Sequence, residues 1–263
     1  MSYNIEYTVL CNKGKLRANN QDNFWCMGAF LPSTNDGLTE SVAGTTNTKN
    51  LPAFAIFDGM GGEQQGEVAA YIAASNFDTF YMESPKNDIK QFMLDACAKA
   101  NTEICAHADK EKLRSTGTTA AILMFGAKEI FICNVGDSRI YHFCDNKLFQ
   151  ISHDHTTTDT LDNIPALTQS LGIPETEYTI TPYVAKGVYN KRDIYMLCSD
   201  GLTDMVTDSD IEKIIAKNPS ITNSGEELLK KALDAGGHDN ITIILCEIQR
   251  QKPDILSILR RRC

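Results

Sequence analysis

Four aspartates stand at the ends of strand-like apolar runs, each beside a glycine or two residues from one. Ala53–Phe57 leads into Asp58-Gly59-Met60-Gly61-Gly62, and Asp193–Cys198 leads into Ser199-Asp200-Gly201. Ile130–Val135 leads into Gly136-Asp137-Ser138-Arg139, and Gly237-His238-Asp239-Asn240 precedes Ile241–Leu245. A carboxylate at a strand end is held by a rigid element and still faces solvent. Several of them brought together would line a site with oxygen, as hard divalent cations require. The simpler alternative is that aspartate next to glycine makes turns, since both residues suit hairpin geometry. Singly, each aspartate reads as a turn; four in one chain raise the question of a shared site.

Such residues need strands and helices to place them. Residues 53–57 read as a buried strand and 66–82 as a helix with Ala69, Ile72, Ala73, Asn76, Phe77 and Phe80 on one face. Residues 86–111 read as a longer helix, with Ile89, Phe92, Met93, Ala96, Cys97, Ala100 and Ile104 at three-four spacing and Pro85 suited to its first turn. Short β-type runs then follow at 118–125, 129–135, 139–143 and 147–151, and their short turns imply an antiparallel meander. Strand signals return at 193–198 and 240–248, and helical signals occupy 208–217 and 224–235, the latter with a Ser224/Glu227 capping box. Strands and helices are segregated rather than alternating, which predicts an α+β fold. Residues 32–50, rich in Ser, Thr, Asn and Gly, read as a mobile surface loop. With no repeat or linker, residues 1–250 read as one domain and 251–263 as a C-terminal tail. The tail ends in Leu259-Arg260-Arg261-Arg262-Cys263 and reads as a solvated extension, with a short amphipathic anchor or docking segment as the alternative.

Bulk properties narrow the function. The apolar fraction of 42% and charged fraction of 22% are ordinary for a globular chain, which argues against disorder. A formal net charge of −9 argues against nucleic-acid binding, which wants a basic surface. The first residues do not form a signal peptide, and no apolar run reaches membrane-spanning length, so a cytoplasmic protein is expected. Nine cysteines without a Cys-x-x-Cys pair read as reduced packing residues, not as a zinc or disulfide framework.

Gly59–Gly66 follows a strand and opens a helix, so a phosphate-cradling loop is a rival reading. The dinucleotide fingerprint needs glycine where Gln64 stands. A P-loop aligned on Gly61 and Gly66 places Glu67 at the lysine position, where a carboxylate would repel phosphate. The segment suits cations better than anions.

The order of motifs adds a resemblance. Gly14-Lys15-Leu16-Arg17-Ala18-Asn19-Asn20-Gln21-Asp22, Phe57–Gly62, Ser115–Thr119, Asn134–Arg139, Ser152–Thr156, Thr168–Gly172, Cys198–Leu202 and Gly237–Thr242 occur in sequence over almost the whole chain. No one segment is specific, but the ordered set resembles the metal-dependent Ser/Thr protein phosphatases of type 2C (the PPM family), its bacterial members most closely. The resemblance implies two antiparallel β-sheets packed as a central sandwich flanked by helices. It implies that Asp58 bridges two Mn²⁺ or Mg²⁺ ions with the Gly59 carbonyl contributing, that Asp200 and Asp239 hold the first, and that Asp22 lies at or just behind the second. Asp137, with Asp200, matches a third, weaker metal position, although Gly-Asp-Ser is equally a good tight turn. Arg17 is implied to grip the substrate phosphate, where a planar guanidinium donates two parallel hydrogen bonds. Two metals sharing a water would lower its pKa and aim it at phosphorus, so no protein nucleophile is needed and Cys11, Cys26 and Cys198 read as packing residues. His153 and His155 read as part of a structural turn. His238 reads as an exposed loop residue, with proton donation near Asp239 as the alternative. Thr118 and Thr119 read as strand formers.

The chain departs from the family pattern at three places. Met60 stands where many eukaryotic members carry a histidine, which leaves the general acid open. Gln21 replaces an acidic residue and leaves the second metal with fewer carboxylates. Only residues 157–167 separate the Asp154-His155-Thr156 and Thr168–Gly172 motifs, which implies a shortened flap and a more open site. The expected activity is removal of phosphate from phosphoserine and phosphothreonine on proteins, by a monomer that opposes a bacterial Ser/Thr kinase. The alternatives are a catalytically inactive binding module on the same fold and a phosphatase of small phosphoesters.

Overall fold

A computed structural model describes residues 2–60, 65–157 and 166–250. In chain order the elements are β1 (Tyr3–Asn12), β2 (Asp22–Cys26), β3 (Val42–Asn47), β4 (Ala53–Met60), α1 (Gly66–Glu83), α2 (Ile89–Glu111), β5 (Gly117–Thr118), β6 (Ala120–Phe125), β7 (Glu129–Val135), β8 (Arg139–Cys144), β9 (Lys147–Gln150), β10 (Thr156–Thr157), β11 (Ala166–Leu167), β12 (Tyr183–Val188), β13 (Ile194–Cys198), α3 (Asp200–Thr203), α4 (Asp208–Lys217), α5 (Ile221–Asp234) and β14 (Ile241–Arg250). One sheet runs β3-β1-β14-β13-β8-β9 and the other β12-β7-β6-β4-β2, with β5 on the end of β4. All pairings are antiparallel.

Side chains alternate across each strand, so both faces of each sheet must be covered to bury continuous apolar runs. On β4, Phe54 and Ile56 point between the sheets, where they meet Leu123, Leu197 and Ile244. Ala53, Ala55 and Phe57 point the other way, onto α1 and α2 through Ala73, Phe77 and Met93. On β14, Ile244 and Cys246 face inward, while Ile243 and Leu245 face Leu228 of α5 and Ile211 of α4. The result is the expected sandwich, in four layers: helices, sheet, sheet, helices.

Several sequence expectations change. Residues 118–150 are not one meander. β6 and β7 pair in one sheet, β8 and β9 in the other, and the chain crosses between sheets at Gly136-Asp137-Ser138. A short turn looks the same whether it joins partners or layers. Residues 32–50 contain β3, which pairs along β1, in place of a wholly irregular loop. The long helix begins at Ile89 with Asp88 as its cap, so Pro85 lies before it. The last helix is capped by Ser220, whose side chain accepts from Asn223 N, so Ser224 lies inside the helix and forms no capping box. The Gly61–Gly62 pair, most of the short flap and the basic tail lie outside the described residues.

Candidate active site

The aspartate-bearing segments meet at one pole of the sandwich. Asp22 opens β2 directly opposite Asp58 near the end of β4. Asp137 sits in the crossover between β7 and β8, and Asp200 occupies the first turn of α3 just after β13. Asp239 precedes β14. Arg17, Asp58, Gly59, Asp137, Asp200 and Asp239 line one pocket of about 210 Å³, together with Gln21, Met60, Thr119 and Leu167. Asp22 is not in the lining. It lies beneath Asp58, 1% exposed. A larger cavity of about 580 Å³ lies between the end of β1 and α5, with Leu10, Leu38, Leu229 and Leu233 in its wall. It holds none of the converging aspartates, so chemistry singles out the smaller pocket.

Close backbone packing explains the glycines at two places. A Cβ on Gly59 would lie 2.1 Å from the Gly66 carbonyl oxygen, and one on Gly201 would lie 2.0 Å from that of Asn240. The first keeps the Asp58 turn close to the start of α1, and the second packs the Asp200 turn onto the Asp239 turn.

Hydrogen bonds fix the orientation of the turns. Asp58 N donates to Thr119 Oγ1 (3.1 Å), while Thr118 Oγ1 and Thr119 N each donate to the Asp58 carbonyl (2.9 Å). The two threonines thus do more than favour a strand: they set Asp58. Asn240 donates to the carbonyls of Lys13 (2.8 Å) and Asn19 (3.0 Å), and its Oδ1 accepts from Gln21 N (2.7 Å). It clamps the Arg17 loop onto the Asp239 loop, and Arg17 Nη2 reaches Asp239 Oδ2 at 2.6 Å. Sequence reading misses Asn240, because its partners lie more than two hundred residues away. His155 braces the crossover: its Nδ1 accepts from Gly136 N (3.1 Å), and its own N donates to the Gly136 carbonyl (3.0 Å).

The electrostatics reflect carboxylates crowded into low dielectric. Burial first, then Asp137, Asp239 and Asp204, push Asp200 up to about 8. Burial and the neighbouring Asp22 and Asp200 hold Asp58 well above the carboxylate range. Burial lifts Asp137 to about 6. It lifts Asp22 to about 6 as well, against the pull of hydrogen bonds from Thr242 and Ser199. Asp204, four residues after Asp200, is raised by burial and Asp239. It adds negative field that the motif reading does not include; the four-residue helical spacing is its signal. Among the described residues no three His, Cys, Asp or Glu side chains are gathered into a ready-made metal cage. The carboxylates of Asp58, Asp137, Asp200 and Asp239 line the pocket wall.

Comparison with known proteins identifies the fold and the family. A family model described as Protein phosphatase 2C matches residues 40–235. The serine/threonine phosphatase stp of Listeria welshimeri is 29% identical, over 90% of this chain and 93% of its own length. The serine/threonine protein phosphatase PstP of Mycobacterium tuberculosis is 28% identical over 93% of this chain, which spans only 45% of that protein. A crystal structure of the PstP catalytic domain in complex with two manganese ions superposes with a TM-score of 0.76 at 27% identity, covering 95% of this chain and all of that one. The sandwich is the fold of these phosphatases, and the chain belongs to the protein phosphatase 2C family.

Proposed function

We propose that the aspartate pocket hydrolyses phosphoserine and phosphothreonine esters on proteins with the help of two divalent cations, Mn²⁺ or Mg²⁺. The chain is a protein serine/threonine phosphatase of the 2C family. One observation carries the reading: Asp58, Asp137, Asp200, Asp239 and Arg17, far apart in sequence, line one small pocket.

The residues fit such cations. All candidate donors are oxygens, the choice of hard ions. Two buried carboxylate oxygens, Asp22 Oδ1 and Asp200 Oδ1, have no hydrogen-bond partner among the described residues. The raised carboxyls of the pocket are groups that a bound cation would hold ionised. Asp58, with the Gly59 carbonyl contributing, would be shared by the two ions, Asp200 and Asp239 would help hold the first, and Asp22 would lie at or just behind the second. Asp137 and Asp200 would serve a weaker third. A pair of such ions lowers the pKa of water and neutralises phosphoryl oxygens.

The protein's own part is placement. Thr118, Thr119 and the Gly59 packing hold Asp58 rigid. Arg17, half-exposed at the rim, would exchange part of its contact with Asp239 for the phosphate, which it would orient for in-line displacement. Met60 lines the pocket and has no proton to give, so the leaving serine or threonine oxygen takes its proton from solvent in the site.

Among the described residues no helix is long and apolar enough to cross a membrane. The reading is of a monomeric cytoplasmic domain over residues 1–250 that reverses a Ser/Thr kinase. Hydrolysis of a phosphothreonine peptide tests it, compared with a small aryl phosphate, with and without Mn²⁺, for wild type and Asp239→Asn. Peptide turnover that needs the metal and collapses on substitution is expected. Turnover that survives both chelation and Asp239→Asn would sink the metal reading. Preference for the small ester would sink the protein substrate.

A further inference from the structure

Beneath the pocket, Asp22 is held in an asymmetric way. Its Oδ2 accepts two hydroxyl hydrogen bonds, from Ser199 Oγ at 2.8 Å and from Thr242 Oγ1 at 2.7 Å. Its Oδ1, equally buried, has none among the described residues. Ser199 and Thr242 are each 0% exposed, so water does not compete for these bonds.

The surrounding bonds fix which way the hydroxyl protons point. Ser199 Oγ already accepts from Thr242 N (2.9 Å), so its one proton is directed to Asp22. Thr242 Oγ1 lies 3.2 Å from Cys11 Sγ as well as close to Asp22. A carboxylate is a much better acceptor than a thiol sulfur, so the threonine proton goes to Asp22. Cys11 Sγ is left to accept the Asn20 Nδ2–H at 3.3 Å. Two hydroxyl donors, Ser199 and Thr242, therefore end on the same carboxylate oxygen, the first of them backed by Thr242 N. With Oδ2 anchored twice, the carboxylate plane is fixed and Oδ1 is the oxygen left without a partner among the described residues. The strand register sets the Asp22 carboxyl directly beside that of Asp58.

We propose that Ser199 and Thr242 are positioning residues of the metal centre, which lock Asp22 so that Oδ1 alone serves the second cation or a water on it. The proposal rests on the two-cation reading above and goes further by assigning the residues behind the ligands. The serine of the Ser199-Asp200-Gly201 motif and the threonine of Asp239-Asn240-Ile241-Thr242 thus act on Asp22, not on the aspartates beside them in sequence.

Calorimetric titration of the whole chain with Mn²⁺ alone tests this, for wild type, Asp22→Asn, Thr242→Val, Thr242→Ser and Ser199→Ala. Residues that orient metal ligands are worth roughly 10- to 100-fold in affinity. Thr242→Val and Ser199→Ala should each weaken one of the two ions by at least about tenfold, the same ion that Asp22→Asn weakens. The other ion should keep its affinity, and Thr242→Ser should restore the wild-type isotherm. The KM for a phosphopeptide at saturating metal should not move. Unaltered isotherms for Thr242→Val and Ser199→Ala, or for Asp22→Asn, overturn the proposal while leaving the roles of Asp58, Asp200 and Asp239 standing. Equal weakening of both ions overturns it too, since that is the mark of general loosening. A wild type that binds no manganese overturns it together with the reading beneath it. Circular dichroism without metal identifies a Thr242→Val chain that fails to fold, and Ser199→Ala then decides.

Discussion

Asp22 and Asp239 lie at the same pole of the sandwich, one as its floor and the other at its rim. Asp22 is 1% exposed, opens a strand, and has one oxygen fastened by two buried hydroxyls. Asp239 precedes a strand, has a side chain 30% exposed, and faces a half-exposed Arg17. The floor carboxylate has no freedom, so it can define geometry. The rim carboxylate has a charged partner that can be exchanged, so it can take part in binding and release. A phosphatase needs both behaviours: fixed charge where the barrier is lowered and adjustable charge where substrate arrives.

Substitutions should break the contrast in graded fashion. Asp58, shared by floor and rim, gives the largest effect: Asp58→Asn should cost at least ~10³-fold in kcat/KM, the upper range for a single electrostatic group. Its melting temperature without metal should rise, because the buried carboxyl is held from ionising in the folded chain and the amide has no such cost. Steady-state kinetics with a phosphothreonine peptide and thermal melts check both parts.

Arg17→Ala should lower kcat/KM by roughly 10²-fold, with intact manganese binding. Arg17→Lys should recover only part of this, since an ammonium cannot form the bidentate contact. Equal activity of Arg17→Lys and wild type would reduce the rim to simple charge.

Acidity separates apo from metal-loaded protein. Asp200 stands near 8 in the folded chain against 3.8 for the ordinary group, so between these values the folded state holds more protons than the unfolded one. Stability linked to this group is complete below the unfolded value and is lost as pH rises through the folded one. Without divalent ions the melting temperature should therefore fall between about pH 5 and pH 9. With saturating Mn²⁺ that fall should vanish, because bound cations replace the protons. Metal affinity should rise with pH over the same window, with proton release measurable in weakly buffered calorimetry.

The smallest effect belongs far from the pole. Lys99 and Glu103 form an exposed i,i+4 pair on α2. Lys99→Ala should change stability by less than about 1 kcal/mol and leave turnover alone. Ile244→Ala, in the core between the sheets, should cost about 2–5 kcal/mol with unaltered metal affinity in the chain that remains folded.

The sequence exposes the site unevenly, for physical reasons. Asp58, Asp137 and Asp200 are visible because a strand end followed or preceded by glycine is a local signal. The strands of β4, β6 and β14 are visible because burial on both faces demands unbroken apolar runs. β1 and β2 are not, since Tyr3–Asn12 mixes polar residues on its outer face and Asp22-Asn23 opens β2 with polar groups that serve the site. The placement of β8 in the opposite sheet cannot be read from a three-residue turn. That Thr242 and Ser199 converge on Asp22 depends on strand pairing across more than 170 residues, which no spacing rule contains. That distant aspartates meet at all comes from the ordered motifs and not from any one of them.

Anomalous diffraction from crystals grown with Mn²⁺ is the most direct test of the central claim. The account predicts two strong peaks flanking the Asp58 carboxylate, one also bound by Asp200 and Asp239 and the other above Asp22 Oδ1. A single peak, or manganese bound away from Asp58, would contradict it.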